Sequence, residues 1–216
     1  MIPGIVLAAV PAFAAQAAPA AHEEQTRDTP GLPPRATPAD YQFHGQAGTV
    51  TIAAEFTGHA VPTEDGSPLS SEEYVVVEVG LFGPPQAHTR ISATDFSLRV
   101  NGKKNPLPAQ PYGLVVKSVK DPAWEPPSSS TTKSKTSIGS GGEQGESKPE
   151  PVKIPIEVQR AMQQKIQKAT LPEGDRALPQ AGLIYFQYRG KTQGIRSLEL
   201  IYSGPAGQAT ISLLQP

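Results

Sequence analysis

Apolar and polar residues alternate over most of the chain, and the period is that of strands. Val50, Ile52, Ala54 and Phe56 fall on one face, with Thr49, Thr51, Ala53 and Glu55 on the other, as a half-buried strand requires. The pattern is strongest in YVVVEVGLF over residues 74–82. There Val75, Val77, Val79 and Leu81 alternate with Tyr74, Val76, Glu78 and Gly80, and the β-branched content predicts a central strand, closed by Gly83, Pro84 and Pro85. Ile91, Phe96, Leu98 and Val100 predict another that stops at the turn pair Asn101 and Gly102. GLVVKSV over residues 113–119 predicts a fourth. LIYFQY over residues 183–188, SLELIY over 197–202 and QATISLL over 208–214 predict three more at hairpin spacing.

The period changes once. Ile154, Val158, Met162, Ile166 and Ala169 recur at helical spacing with Gln, Lys and Arg between them, which predicts a helix over residues 155–170. Pro155 suits its first turn, and Pro172, Glu173 and Gly174 terminate it. Its apolar stripe is expected to cover the protein's own sheet, because exposed stripes are uncommon in monomers. Ahead of the helix, residues 128–151 are Ser, Thr, Gly, Lys, Gln, Glu and Pro with Ile138 as the one large apolar residue, so a disordered insert is expected there. Residues 18–40 read as a Pro-rich disordered linker, since Pro30, Pro33, Pro34 and Pro38 interrupt both helix and central strand. About seven short strands, with one helix in a connection and no strand–helix alternation, predict a mostly β fold. The expected form is an immunoglobulin-like antiparallel β-sandwich over residues 41–216.

The order of these segments carries a resemblance. YVVVEVGLF, then ISATDFSL leading into Asn101 and Gly102, and later AGLIYF followed by SLELIY, is similar to the telokin-like, immunoglobulin-fold domains of unknown function common in exported bacterial proteins. The resemblance covers residues 49–214. It implies a sandwich and a place outside the cytoplasm, and it brings no catalytic residues with it. The chain departs from the pattern in reading GPPQ over residues 83–86, where a more polar turn is usual, and in the length of the insert.

Composition narrows the function classes. Lys and Arg number 19 against 20 Asp and Glu, a net charge of −1, so no long-range field would draw in nucleic acid or an anionic membrane. Cysteine is absent, which removes disulfides, thiolate nucleophiles, iron–sulfur clusters and Cys-ligated zinc. Residues 5–10 are apolar, and the Ala-rich stretch after them holds the small-x-small triplets Ala12-Phe13-Ala14 and Ala15-Gln16-Ala17. Residues 1–17 therefore read as a signal peptide, although no Lys or Arg precedes the apolar run. The run is too short to span a bilayer, and no Cys follows it to carry a lipid. A periplasmic or secreted protein with no transmembrane segment after cleavage is expected.

Candidate chemistry is sparse. His22, His44, His59 and His88 form no HxH or HxxxH pair, and Met162 is the only methionine beyond Met1. His59 has Glu55, Glu64 and Asp65 nearby in sequence, which admits a metal-dependent or hydrolytic site; a solvated acidic loop is the plainer reading, and no metal or cofactor is assigned. Ser130 to Lys133 matches SxxK, but within a flexible tract and without SDN or KTG. Residues 138–142, IGSGG, lack the strand and the Gly-Lys-Ser/Thr of a phosphate loop. Asp95 is expected to cap a turn and Phe96 to fill core. Trp124, between prolines, is the one candidate partner contact, weighed against a lid over one end of the sandwich. The functional expectation is an exported, non-catalytic binding or accessory module of the cell envelope that meets a protein partner through loops or an edge strand. The alternatives are the enzyme built on His59, and a structural spacer or surface antigen tethered by the Pro-rich segment.

Overall fold

The computed structural model describes residues 31–121 and 154–214. The expected signal peptide, the insert over residues 128–151, His22 and Trp124 lie outside them. Among the described residues the strands are β1 (Phe43–Ala47), β2 (Val50–Gly58), β3 (Ala60–Val61), β4 (Leu69–Ser71), β5 (Tyr74–Phe82), β6 (His88–Ile91), β7 (Phe96–Val100), β8 (Leu107–Gln110), β9 (Val119–Lys120), β10 (Gly174–Ala177), β11 (Gln180–Gln187), β12 (Leu198–Gly204) and β13 (Gly207–Ser212). Two α-helices, α1 (Tyr112–Val115) and α2 (Ile156–Ala169), join them.

The fold is mostly β, and every strand pairing is antiparallel. Eight strands form one sheet in the order β1-β2-β5-β11-β8-β7-β12-β13, and thirteen strands stand among the described residues where about seven were expected. The sheet curls until its two edge strands meet. Gly45 on β1 allows this approach: a Cβ there would lie 2.9 Å from the Ile211 side chain on β13. The result is close to a closed barrel, with a core that takes Val50, Ile52 and Ala54 from one side and Leu98, Leu200 and Ile211 from the other.

The strand β5 serves two cores. Val75, Val77, Val79 and Leu81 point into the barrel, while Tyr74 and Val76 face outward beneath α2. The helix seats Met162, Ile166 and Ala169 on that outer face, against Leu183 and Tyr185 of β11, so its stripe covers the protein's own sheet. Full burial of a side chain such as Ile166 contributes about 2 kcal/mol. Among the described residues no helix is long and apolar enough to cross a membrane.

Two stretches depart from expectation. Residues 113–119 do not form a strand: Tyr112–Val115 is helical, Val116–Ser118 is a 3-10 turn, and only Val119 begins β9. Val115 and Val119 are buried while Lys117 is exposed, a spacing of four that suits a helical turn and not a strand. Pro111 starts the turn, and its carbonyl accepts from the Leu114 N–H at 3.0 Å. The second departure is at residues 31–40, the end of the expected linker, which lie across the outside of the sheet. Prolines forbid a ladder there but not a docked extended segment. Leu32 bridges to Ala181, the Gly31 N–H donates to the Lys168 carbonyl at 2.7 Å, and Tyr41 packs edge-on against Phe82 above Gly80.

Candidate functional site

The residues singled out around His59 are held apart. His59 follows Gly58, where β2 breaks register against β5 and turns away at φ 67°. Its Nδ1 lies 2.8 Å from the Tyr74 carbonyl and its Nε2 3.0 Å from the Gly190 carbonyl, so a backbone carbonyl faces each ring nitrogen and the one that carries the proton donates. Glu55 pairs with Arg35 at 2.6 Å, Asp65 pairs with Lys165 at 2.8 Å, and Glu64 is exposed. Among the described residues no three His, Asp or Glu side chains are grouped to hold a metal ion. His44 and His88 are exposed. Phe96 fills core at 1 % exposure, but the turn before it is capped by Ser92, whose hydroxyl accepts from the Thr94 N–H, rather than by Asp95.

A different site arises from the weakest joint of the sheet. The strand β8 meets β11 only at Gln110 and Ala109, and β7 only at Pro108 and Leu107. Pro106, Pro108 and Pro111 lack the N–H that a longer ladder needs. The edge of β11 that β8 leaves open is taken by chain leaving α2: Thr170 bridges to Leu183, and the Leu171 N–H donates to the Leu183 carbonyl at 3.1 Å. Gly182 permits this, since a Cβ there would press on the Leu171 backbone.

Between these two substitutes for a strand lies a half-enclosed cleft of about 470 Å³, within the range of small-molecule sites. Leu171, Leu183, Ile184, Pro111, Ala109 and the Tyr112 ring give it apolar walls. Thr170, Tyr185, Gln110, Gln167 and Glu173 are polar residues of its lining. The Thr170 Oγ1 donates to the Ile166 carbonyl at 2.7 Å, and the Tyr185 hydroxyl lies 3.3 Å from that Oγ1 and 3.5 Å from the same carbonyl. Tyr185 is 1 % exposed, and burial pushes its phenol well above the usual tyrosine range, so it stays neutral. The Glu173 carboxylate accepts from the Ala93 N–H at 2.9 Å and joins no ion pair among the described residues.

Sequence reasoning did not find this cleft. Its lining comes from four separate stretches of chain, and the only local hint is the proline spacing over residues 106–111, a sign of a broken strand and not of a ligand. No protein family, curated protein or solved structure matches the chain.

Proposed function

We propose that the chain is a non-catalytic binding module of the cell envelope, working outside the cytoplasm after loss of residues 1–17, and that it binds a small molecule in the cleft beside β8. The observation that carries this reading is the cleft itself: apolar walls, a depth that reaches the buried Tyr185, and a few polar groups at its floor and rim. Among the described residues its lining offers hydroxyls, amides and one carboxylate.

The weak joint at β8 also supports an immunoglobulin-like description of the fold. It divides the eight-stranded sheet into β1, β2, β5 and β11 on one side and β7, β12 and β13 on the other, the division on which such a reading rests. Addition of a partner's strand has less support, because β1 and β13, the two edge strands of the sheet, lie against each other.

The test is a fragment library screened against the full chain by ligand-observed NMR. Binders are expected to shift resonances of residues 109–112, 167–173 and 183–185, and to lose affinity in Thr94→Trp, which fills the mouth from an exposed rim position. Binders that map elsewhere, or that are indifferent to this substitution, would remove the reading. The mass of chain recovered from a periplasmic fraction tests the export step: loss of residues 1–17 is expected, and an unprocessed chain confined to the cytoplasm contradicts it.

A further inference from the structure

We infer that Asn101 is a site of spontaneous chemical modification: its amide persists while it clips the loop leading into β12, and becomes aspartate or isoaspartate when that loop opens. The chain has two asparagines, Asn101 and Asn105. Loss of a side-chain amide needs a nucleophile, and the one always at hand is the backbone nitrogen of the next residue. Asn105 is followed by Pro106, whose nitrogen carries no hydrogen and cannot take part. Asn101 is followed by Gly102, which is exposed and has open space where a Cβ would stand.

The step balances with water as its only co-reactant. The Gly102 nitrogen bonds to the Asn101 Cγ, the Cγ–Nδ2 bond breaks, and a succinimide ring closes. The amide nitrogen leaves as ammonia, taking the proton that Gly102 gives up. Water then opens the ring at one of its two carbonyls. Opening at Cγ gives aspartate; opening at the backbone carbonyl gives isoaspartate, whose main chain runs through the former side chain and is one atom longer.

The turn selects the reactive pair, and the fold restrains it. Backbone φ is 52° at Asn101 and 64° at Gly102, and the Lys103 N–H donates to the Val100 carbonyl at 3.2 Å. A turn left-handed at both central positions favours Asn-Gly. In the folded chain the amide is held at both ends. Its Oδ1 accepts from the Arg196 N–H at 2.7 Å and the Ser197 N–H at 3.3 Å, and its Nδ2 donates to the Gly194 carbonyl at 3.0 Å. The Asn101 N–H donates to the Ser197 carbonyl at 2.8 Å, so backbone and side chain are fixed against one loop. Bonds at both ends favour the planar amide, and attack at Cγ must destroy that planarity.

The clipped residues flank Ile195, which is 9 % exposed and belongs to the barrel core. An aspartate carboxylate cannot donate to the Gly194 carbonyl, and isoaspartate carries its carboxylate on a lengthened main chain. Either product holds the loop less firmly than the amide did. Modification thus records an opening of the loop and hinders its return.

The experiment holds the full chain at mildly alkaline pH in buffer and in denaturing urea. Trypsin, cutting after Arg99 and Lys103, then releases residues 100–103 for mass spectrometry, with chromatography to separate aspartate from isoaspartate. Conversion of Asn101 is expected to be at least about tenfold slower in buffer than in urea, because the hydrogen bonds of the clip must open first. Asn105 should stay unchanged in both. Arg196→Pro deletes the donor of the shortest bond, at an exposed position that follows extended backbone at Ile195. It should raise the rate in buffer about fivefold, the effect of one hydrogen bond, and leave the rate in urea alone. In the converted chain, separated and returned to buffer, the Arg196 and Ser197 N–H groups should be less protected from hydrogen exchange than before. No conversion in urea, or a rate in buffer equal to or above the rate in urea, overturns the inference. Unchanged protection of the two loop amides after conversion overturns the role of Asn101 as the clip, as does an Arg196→Pro chain that converts in buffer no faster than its parent.

Discussion

Glu55 and Glu78 stand directly opposite each other on β2 and β5, two like charges on one face of a sheet. Such a pair is destabilising unless a cation joins it. Arg35 does so from the segment that crosses the sheet: Nη1 lies 2.6 Å from Glu55 and Nη2 3.1 Å from Glu78, while the guanidinium stacks 4.4 Å above the Tyr41 ring. Burial works against the guanidinium charge, and the two glutamates more than offset it, raising its pKa above the ordinary value. A group raised in this way contributes fully at any pH below its unfolded value, so the anchor holds throughout the range in which proteins are handled.

Replacing Arg35 with Met should therefore lower stability by about 2 kcal/mol, less than for a fully buried pair because the site is partly open to water. The damage comes from the two carboxylates left facing each other. Arg35→Met combined with Glu78→Gln should recover about half of the loss, as the midpoints of urea unfolding will record. A double variant no more stable than the single one would show that the anchor acts through packing on Tyr41 instead.

What was legible in the sequence follows from how local each cause is. The strand Tyr74–Phe82 reads correctly because Val75, Val77, Val79 and Leu81 keep one face apolar throughout, and the helix because its stripe recurs over four turns. The strand β1 escaped notice because Gly45 stands at the position where an apolar residue would have shown the alternation, and that glycine is there to let Ile211 approach. Residues 113–119 misled because three valines favour strands locally, while Pro111 and the burial of Val115 and Val119 decide for a turn. Arg35 reaches a partner 43 positions away, and the cleft draws on four distant stretches; no window of sequence contains either.

The loop holding Asp65 is tied to α2 by a contact that titrates. Lys165, together with Thr63 and the Ser67 N–H, holds the Asp65 carboxyl well below its ordinary value. For a carboxylate lowered in the folded state, the attachment is fully present above the unfolded pKa of 3.8 and is lost as pH falls through the folded value. The protection of the Gly66 N–H, which donates to the Thr63 carbonyl, against hydrogen exchange relative to the unfolded chain should stay constant above about pH 4 and fall below it. Asp65→Asn should lower that protection at every pH, and 1 M salt, which shortens the Debye length to about 3 Å, should narrow the difference. An acid response that survives in Asp65→Asn would assign the titration to another group.

Two glycines should differ sharply in their tolerance of a methyl group. A Cβ at Gly182 would lie 2.5 Å from the Leu171 nitrogen and 2.8 Å from the Thr170 carbonyl carbon, backbone that cannot step aside. At Gly80 the obstruction is the Tyr41 and Phe82 rings at 2.8 Å, which can tilt. Gly182→Ala is expected to cost about 3 kcal/mol and Gly80→Ala about 1 kcal/mol, read from urea unfolding. Equal costs would mean that residues 170–171 are not fixed against β11.

Leu171 divides the cleft from the barrel core, and its removal joins the two. It is 2 % exposed, belongs to the main core cluster, and lines the cleft on its other side. Leu171→Ala should destabilise the empty protein by about 3 kcal/mol, the transfer and cavity cost of a buried leucine. The enlarged space would be apolar, and an apolar space of that size binds hydrocarbon. Saturating butylbenzene should therefore raise the thermal midpoint of Leu171→Ala by more than it raises that of the unaltered chain, since binding stabilises the folded state in proportion to the affinity gained. If butylbenzene raises Leu171→Ala no more than the parent, the wall between cleft and core does not run through Leu171.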